Sequence, residues 1–328
     1  MNSLSFSIII TVYNRPDEVA EFLKSLTLQT YKEFEVLVVE DSLTNPCESV
    51  CQDFSNRLSI RYFFVPPTGR SEKRNYAMEH ANGNFFIIFD TDCIIPPSYM
   101  KTILHNLSDN YADCYGGPDN ANESFTDIQK AINYSMTSIM TTGGIRGATK
   151  KTDKFHPRSF NMGLSKEVFE KVGGFRNMIG EDMDMSIRIK KAGFKTLLYK
   201  DAYVFHKRKI NLKKFYRQVN TFGKARVLLY HLHTDSLKPV HLLPTVFALG
   251  HILLILLSII FLSPLFLIPV GIYIMAIFLE SLIKNRKIKI AFLSIATSYI
   301  QLFGYGFGFL GEFITSKASK ATQEELYK

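Results

Sequence analysis

Short apolar runs, each closed by polar or turn-forming residues, set the rhythm of the amino-terminal part of the chain. The runs are Phe6-Ser7-Ile8-Ile9-Ile10-Thr11-Val12-Tyr13, Phe34 through Val39, Ile60 through Val65, and Asn84 through Phe89. Continuous runs of this length, rich in β-branched and aromatic residues, read as strands buried on both faces of a parallel sheet. Between them the period changes. Val19, Phe22, Leu23 and Leu26 follow Asn14-Arg15-Pro16-Asp17 at helical spacing. A second helix is predicted from Ser71, as its N-cap, to about Ala81, with Gly83 as its stop. Strands alternating with helices predict βαβ units in a doubly wound, mainly parallel α/β sheet. Three of the four strands end in acidic or polar groups at the carboxyl edge, where such sheets bind ligands.

Downstream, Phe160 to Ser165 precedes a helix, Lys166 to Val172, closed by Gly173-Gly174. Another helix is predicted from Glu181 to the stop at Gly193, with Glu181, Asp182 and Asp184 in its first turn, where the helix dipole favours acids. Thr196 to Tyr199 reads as an edge strand, and Tyr203-Val204-Phe205-His206 follows. Residues 109–158 show no clear period, and Gly143-Gly144-Ile145-Arg146-Gly147 reads as a flexible loop.

Beyond Lys238 the pattern becomes that of a membrane protein. Pro239 to Leu279 is a stretch of 41 residues without Asp, Glu, Lys or Arg, and Ile290 to Gly311 adds 22 more. A span needs about 20 apolar residues, so two spans meeting near Ser263-Pro264 and a third after Lys289 are expected, at about 240–262, 264–283 and 290–314. Lys284, Arg286, Lys287 and Lys289 lie between the blocks and predict a cytoplasmic loop. Three spans would then leave the polar tail, 315–328, on the outer face.

Charge sharpens this division. The net charge is +9, and residues 195–240 alone hold eleven Lys and Arg against Asp201 and Asp235. Basic residues interleaved with Phe215, Tyr216, Val219 and Phe222 could contact nucleic acid. Directly before membrane spans, a helix lying on anionic lipid is the more economical reading. The chain is 46% hydrophobic with 27 Phe and no Trp, rich for a soluble enzyme. Cys47, Cys51, Cys93 and Cys114 show no metal spacing and read as free thiols in a reducing compartment. Met1-Asn2-Ser3-Leu4-Ser5 runs straight into the first strand without a basic n-region or cleavage site, so no secretory leader is expected.

Candidate chemistry begins at Asp90-Thr91-Asp92, where a fully apolar strand runs into two carboxylates. Buried carboxylates are costly without partners, so their place is at a crevice. In extended chain the two side chains lean to the same side. Paired oxygen ligands of this kind suit Mg²⁺ or Mn²⁺ carried in with a diphosphate. No glycine-rich turn follows the first strand, and no Walker Gly-Lys-Ser/Thr is present. The one literal G-x-G-x-x-G, Gly306 to Gly311, lies in the last apolar block with no strand before it. Gly304-x3-Gly308 reads there as a close helix-packing face in lipid.

Taken together, Ser-Ile-Ile-Ile-Thr-Val-Tyr-Asn-Arg, Val-Val-Glu-Asp-Ser, Lys-Arg-Asn-Tyr-Ala with Ala-Asn-Gly, and Phe-Asp-Thr-Asp resemble the inverting family-2 glycosyltransferases of GT-A fold, over roughly residues 6–230. The resemblance implies that Thr11, Tyr13 and Asp41 hold the base, Arg74 faces the nucleotide moiety, and Asp90 and Asp92 flank ribose and metal. Asp182 matches the family's catalytic base, with Glu181 orienting it or touching acceptor hydroxyls, and Asp184 the weaker alternative. In some relatives a histidine in the place of His206 completes the metal site. Residues 1–200 would be the catalytic domain and 201–238 a basic interfacial segment. The expected protein is a multi-pass enzyme of the cytoplasmic membrane, its catalytic domain facing the cytoplasm. It would transfer sugar from a nucleotide-sugar, a UDP-sugar by preference, to a saccharide or lipid-linked saccharide hydroxyl in surface polysaccharide synthesis. Membrane lipids are its expected partners, and no nucleic acid. A polyprenyl-phosphate glycosyltransferase, whose acceptor is already ionised, and a non-catalytic sugar-nucleotide-binding scaffold are the competing readings.

Overall fold

A computed structural model describes residues 4–120, 125–142, 155–206 and 211–318. In chain order the elements are β1 (Phe6–Val12), α1 (Pro16–Thr27), β2 (Phe34–Glu40), α2 (Glu48–Phe54), β3 (Ser59–Phe64), α3 (Arg70–His80), β4 (Phe85–Phe89), β5 (Cys93–Ile94), α4 (Tyr99–Asp109), β6 (Cys114–Gly116) and β7 (Asp119–Asn120). They continue as α5 (Asp127–Thr137), α6 (Ile139–Thr142), β8 (Asn161–Ser165), α7 (Lys166–Val172), α8 (Glu181–Lys191), β9 (Thr196–Leu198) and β10 (Val204–His206). Four long helices close the chain: α9 (Leu212–Leu232), α10 (Leu243–Ile260), α11 (Ile268–Asn285) and α12 (Ile288–Ala318). Two compact units result, Met1–Asn120 with Thr149–His206, and Ala121–Ala148 with Lys207–Lys328.

The first unit is built on a seven-stranded sheet of order β3-β2-β1-β4-β8-β6-β9. Its β1, β2, β3 and β4 are parallel, whereas β8 runs antiparallel to both β4 and β6. The two-residue period of a strand sends Ile8, Ile10, Val36, Val38, Phe85 and Ile87 to one face and Ile9, Leu37, Val39, Phe86 and Ile88 to the other. Helices cover both faces, which is why the strands read as unbroken apolar runs. Each such side chain contributes about 1.5–3 kcal/mol on burial. A smaller sheet, β5-β10-β7, stands beside it and carries His206.

Two local expectations change. Ser71 is not an N-cap: α3 starts at Arg70 with Gly69 as cap, and the Ser71 hydroxyl instead donates to the Arg176 carbonyl (2.9 Å). Gly83 does not stop α3, which ends at His80. Its role is proximity, because a Cβ there would lie 2.5 Å from Ser7 Oγ and 2.7 Å from the Ser5 carbonyl. The Gly143 to Gly147 loop, Lys207 to Lys209 and the tail from 319 lie outside the described residues.

This close approach is pinned by Glu35. Its carboxylate accepts from Ser7 Oγ (2.6 Å), from the Asn82 N–H (2.6 Å) and side chain (3.0 Å), and from Arg61 (3.2 Å). Burial pushes the Glu35 pKa up, but the Ser7, Asn82 and Arg61 interactions outweigh it and hold the pKa below its ordinary value. A depressed folded pKa contributes stability that is full above the unfolded value and lost as pH falls through the folded one. Glu35→Gln is therefore expected to lower Tm near neutral pH by an amount worth roughly 1–3 kcal/mol. The gap to wild type should close below about pH 4. A gap independent of pH, measured on the detergent-solubilised chain, would contradict this assignment.

In the second unit a capping box at Thr126 and Gln129 starts α5. Along α11, Tyr134 Oη and Ser138 Oγ both donate to Glu280 Oε2, at 2.7 and 2.6 Å. Toward α12, Thr297 Oγ1 donates to the Ala131 carbonyl (3.0 Å). Ile132 and Met136 share a core with Phe215 and Val219 of α9. Leu243–Ile260, Pro264–Asn285 and Ile288–Ser316 are long and apolar enough to cross a membrane.

Candidate active site

Because β1, β2 and β4 are parallel, their carboxyl ends share one edge, and the polar residues there come from three separate stretches of sequence. At the end of β1, Asn14 takes a left-handed conformation (φ 54°), which asparagine tolerates. Its N–H donates to Ser42 Oγ (2.6 Å), and its side-chain oxygen accepts from Thr44 and Asn45 N–H groups. Tyr13 is left 51% exposed, with Lys73 Nζ 5.9 Å from its ring centre. Thr11 lies one turn of the pleat earlier, in register with Val39.

Glu40, at the end of β2, is fully buried and accepts from Ser42, Tyr62 (2.7 Å) and the Cys47 N–H (2.8 Å). That frame holds the next residue, Asp41, against the Lys73 ammonium and the Thr68 N–H (3.0 Å). Lys73 also donates to the Val12 carbonyl (2.8 Å), tying β1, β2 and α3 together.

One residue further along α3, Arg74 is 1% exposed and bridges two acids. It donates to Asp90 (3.1 Å) and to Glu181 (2.9 Å), 107 residues away in sequence. Glu181 is thus placed on Arg74 rather than on Asp182. Both terminal nitrogens of Arg74 have carboxylate partners, whereas Arg70, in the first turn of α3, is exposed. Asp90 above all raises the Arg70 pKa, with Glu181, Asp92 and Asp182 acting in the same sense and burial opposing. Asp90, Glu181, Asp92 and Asp182 thus all favour the charge of one arginine that sequence reasoning did not single out.

Asp90 and Asp92 do not lie on extended chain. The Cys93 N–H donates to the Asp90 carbonyl (3.2 Å), closing a turn that is held from α1 by Thr91 Oγ1 on Glu18 (2.9 Å). The turn parts the two carboxylates: Asp90 goes to Arg74 and Asp92 to His206, whose Nε2 lies 3.0 Å from Asp92 Oδ1. His206 is set there by pairing of β10 with β5 and by stacking on Phe160 at 4.9 Å, with Asp119 Oδ2 3.9 Å from its Nδ1. Ligand atoms of Asp92, Cys93 and His206 lie within 4.8 Å of one another. Cys93 Sγ faces the Phe160 carbonyl (3.5 Å), and burial, with Asp90 and Asp92, pushes its thiol up. The donor set that remains, carboxylate oxygen and imidazole nitrogen, fits a divalent ion such as Mn²⁺.

On α8, Asp182 and Asp184 part in the same way. Asp182 is partly exposed and accepts from Arg158 (3.1 Å) and from the Met183 N–H (2.7 Å). Asp184 has no exposed side-chain surface and lies between Arg176 (3.2 Å) and Arg188 (2.7 Å). Arg188 in turn donates to the Val172 and Gly174 carbonyls, so Asp184 belongs to the scaffold behind α7 and α8.

The sequence profile of Glycosyl transferase family 2 matches residues 7–173. The glycosyltransferase AglE of Haloferax volcanii is 24% identical over 243 residues, 71% of this chain and 77% of that protein. The glycosyltransferase GlyA of Streptococcus pneumoniae is 31% identical over 108 residues, 33% of this chain and 16% of GlyA, so there the chain matches a small part of a longer protein. An uncharacterized glycosyltransferase of Rickettsia conorii is likewise matched over 18% of its length, at 28% identity across 34% of this chain. Among solved structures, the mannosyltransferase PcManGT from Pyrobaculum calidifontis, in complex with GDP-Man and Mn²⁺, superposes with a TM-score of 0.64 at 16% identity. The superposition covers 92% of this chain and 88% of that one, and the two share their fold.

Proposed function

The chain belongs to glycosyl transferase family 2, and from that premise we propose that it is a membrane-anchored, metal-dependent inverting glycosyltransferase. It would move a sugar from a nucleoside diphosphate sugar, UDP by preference, to a hydroxyl of a saccharide or lipid-linked saccharide, in building a surface polysaccharide. The observation that carries this reading is the placing of Asp90 and Glu181 on Arg74 of α3, with Asp92 turned to His206, at the carboxyl edge of the parallel strands. Apolar helices after residue 242 would anchor the enzyme in the cytoplasmic membrane. The basic cluster Lys284, Arg286, Lys287 and Lys289 supports a cytoplasmic catalytic domain.

In this reading Tyr13 offers its exposed ring to the base, while Thr11 and Asp41 line the edge beside it. Arg70 faces the diphosphate, and Arg74 keeps Asp90 and Glu181 in place. Asp92 and His206, with Asp90 nearby, would hold the divalent ion, which when bound offsets the charge building on the leaving nucleoside diphosphate. Asp182, steadied by Arg158, takes the proton of the acceptor hydroxyl as its oxygen attacks the anomeric carbon. The bond from that carbon to the diphosphate oxygen breaks on the opposite side, so the product has inverted configuration.

Thermal unfolding with a panel of sugar nucleotides tests the donor class. With Mn²⁺ present, one nucleoside diphosphate sugar at a hundredfold excess over its Kd should stabilise the protein by about 2.7 kcal/mol, and EDTA should remove most of the shift. If no sugar nucleotide moves the transition with or without a divalent ion, the reading fails.

A further inference from the structure

The apolar helices of the second unit are alike in composition but unlike in packing. In an apolar 18-residue stretch of Leu243–Ile260 and of Pro264–Asn285 only 11% of the residues are buried by protein, against 50% in such a stretch of Ile288–Ser316. Leu253, Leu256, Ile259 and Ile272 of the α10–α11 hairpin all stand largely exposed, and Leu262 at its tip is 89% exposed. Such a surface needs lipid. Much of the apolar surface of α12 is already taken up by other helices of its own unit.

One of the helices that cover α12 is charged. Gly304 and Gly308 form a close-packing face, as the sequence suggested, but the helix they receive is basic α9. A Cβ on Gly308 would lie 2.1 Å from the Asn220 carbonyl, and one on Gly223 would lie 2.2 Å from the Tyr305 carbonyl. Asn220 Nδ2 donates to the Gly304 carbonyl (3.1 Å), and His231 Nε2 meets Ser316 Oγ (3.2 Å). From Asn220 with Gly304 to His231 with Ser316, the two helices run parallel, side by side, to the end of the candidate span. α9 carries Lys213, Lys214 and Arg217, all exposed, just before that course, and Lys224 and Arg226 along it. For α12 to cross a bilayer, α9 would have to cross beside it with its basic side chains, which the hydrocarbon strongly disfavours.

The course of α12 over the hairpin agrees. Its contacts pass from α11, Phe278 on Phe292 and Ser281 on Ser294, to α10, where the Thr245 hydroxyl meets the Gly306 carbonyl. At Tyr299 it meets both Tyr273 of α11 and His251 of α10, so it crosses from one helix of the hairpin to the other. The 29 residues of Ile288–Ser316 extend about 43 Å at 1.5 Å per residue, more than the ~30 Å hydrocarbon core requires.

We infer that α9 and α12 lie together in the plane of the membrane as a basic surface pair seated on anionic lipid headgroups, and that only the α10–α11 hairpin enters the bilayer. The inference rests on the membrane-anchored reading above. It puts the end of α12 on the same face as α9, opposite to the side that three spans would give.

Single cysteines at Thr221, Thr234 and Thr315, each exposed, provide the test. The native Cys47, Cys51, Cys93 and Cys114 are buried and serve as a silent background for a membrane-impermeant maleimide. In sealed vesicles of one orientation, the full-length variants should all label from one face, to within about twofold of one another. Gly311→Cys, where a side chain meets open space, replaces Thr315→Cys if that variant misfolds. Labelling of Thr315→Cys only from the other face, or of Thr221→Cys only after detergent, would overturn the in-plane arrangement. Release of the wild-type chain by alkaline carbonate is a separate outcome, because it removes the membrane reading itself.

Discussion

Asp182→Asn is expected to keep donor and metal binding and to lower turnover by about 10²–10⁴-fold, the usual worth of a general base. The substitution removes a proton acceptor but almost no volume, and the Asn side-chain oxygen can still accept from Arg158, which now lies 3.1 Å from the carboxylate. Asp184→Asn is expected to do the opposite. Asp184 is wholly buried between Arg176 and Arg188, so neutralising it strands buried charge and should cost about 3–5 kcal/mol of stability. Its signature is a fall in Tm, with turnover per folded molecule near wild type. The pair is therefore read on two axes, kcat with a saccharide acceptor and the thermal midpoint. A dead Asp184→Asn of normal Tm, beside an active Asp182→Asn, would reassign the base. An Asp182→Asn of full activity would instead favour an acceptor that is already ionised, such as a polyprenyl phosphate.

That contrast between two acids two residues apart marks where the sequence stops being informative. Strand runs are legible because burial on both faces leaves an unbroken apolar signal, as at Phe85 to Phe89, all buried. The helix Lys166 to Val172 is legible because Ser165 caps it and Gly173, at φ +80°, ends it. Long-range partners are not legible. Nothing local tells that Arg74 will meet Glu181, or that Asp182 faces Arg158 while Asp184 faces Arg176 and Arg188. An amphipathic face says that a helix packs, not against what. The helix α5, in a stretch without a clear period, did carry a signal in Thr126-x-x-Gln129, the spacing of a capping box. Its destination, the polar contacts with Glu280 and Thr297, is a property of the folded unit alone. The Asp-x-Asp turn belongs to the same class, since extended geometry was the natural expectation after an apolar strand.

The turn also decides how metal dependence should divide between the two aspartates. Asp92 has His206 at 3.0 Å, while Asp90 is engaged by Arg74 at 3.1 Å. Asp92→Asn should therefore abolish metal-dependent transfer, and EDTA should do the same to the wild type, reversed by Mn²⁺ or Mg²⁺. His206→Asn should weaken metal binding by at least the roughly 10–100-fold that loss of a group merely supporting a metal ligand costs, leaving activity that excess Mn²⁺ restores. Asp90→Asn frees Arg74 from one of its two acids, so its loss should combine weaker donor binding with a lower Tm. Titration calorimetry of Mn²⁺ into the nucleotide-saturated protein separates these cases without relying on turnover. Full metal affinity in Asp92→Asn, or full transfer in chelator, would remove the ion from the site, and the leaving diphosphate would then depend on Arg70 for its charge. Arg70→Gln in chelator measures that remaining contribution directly.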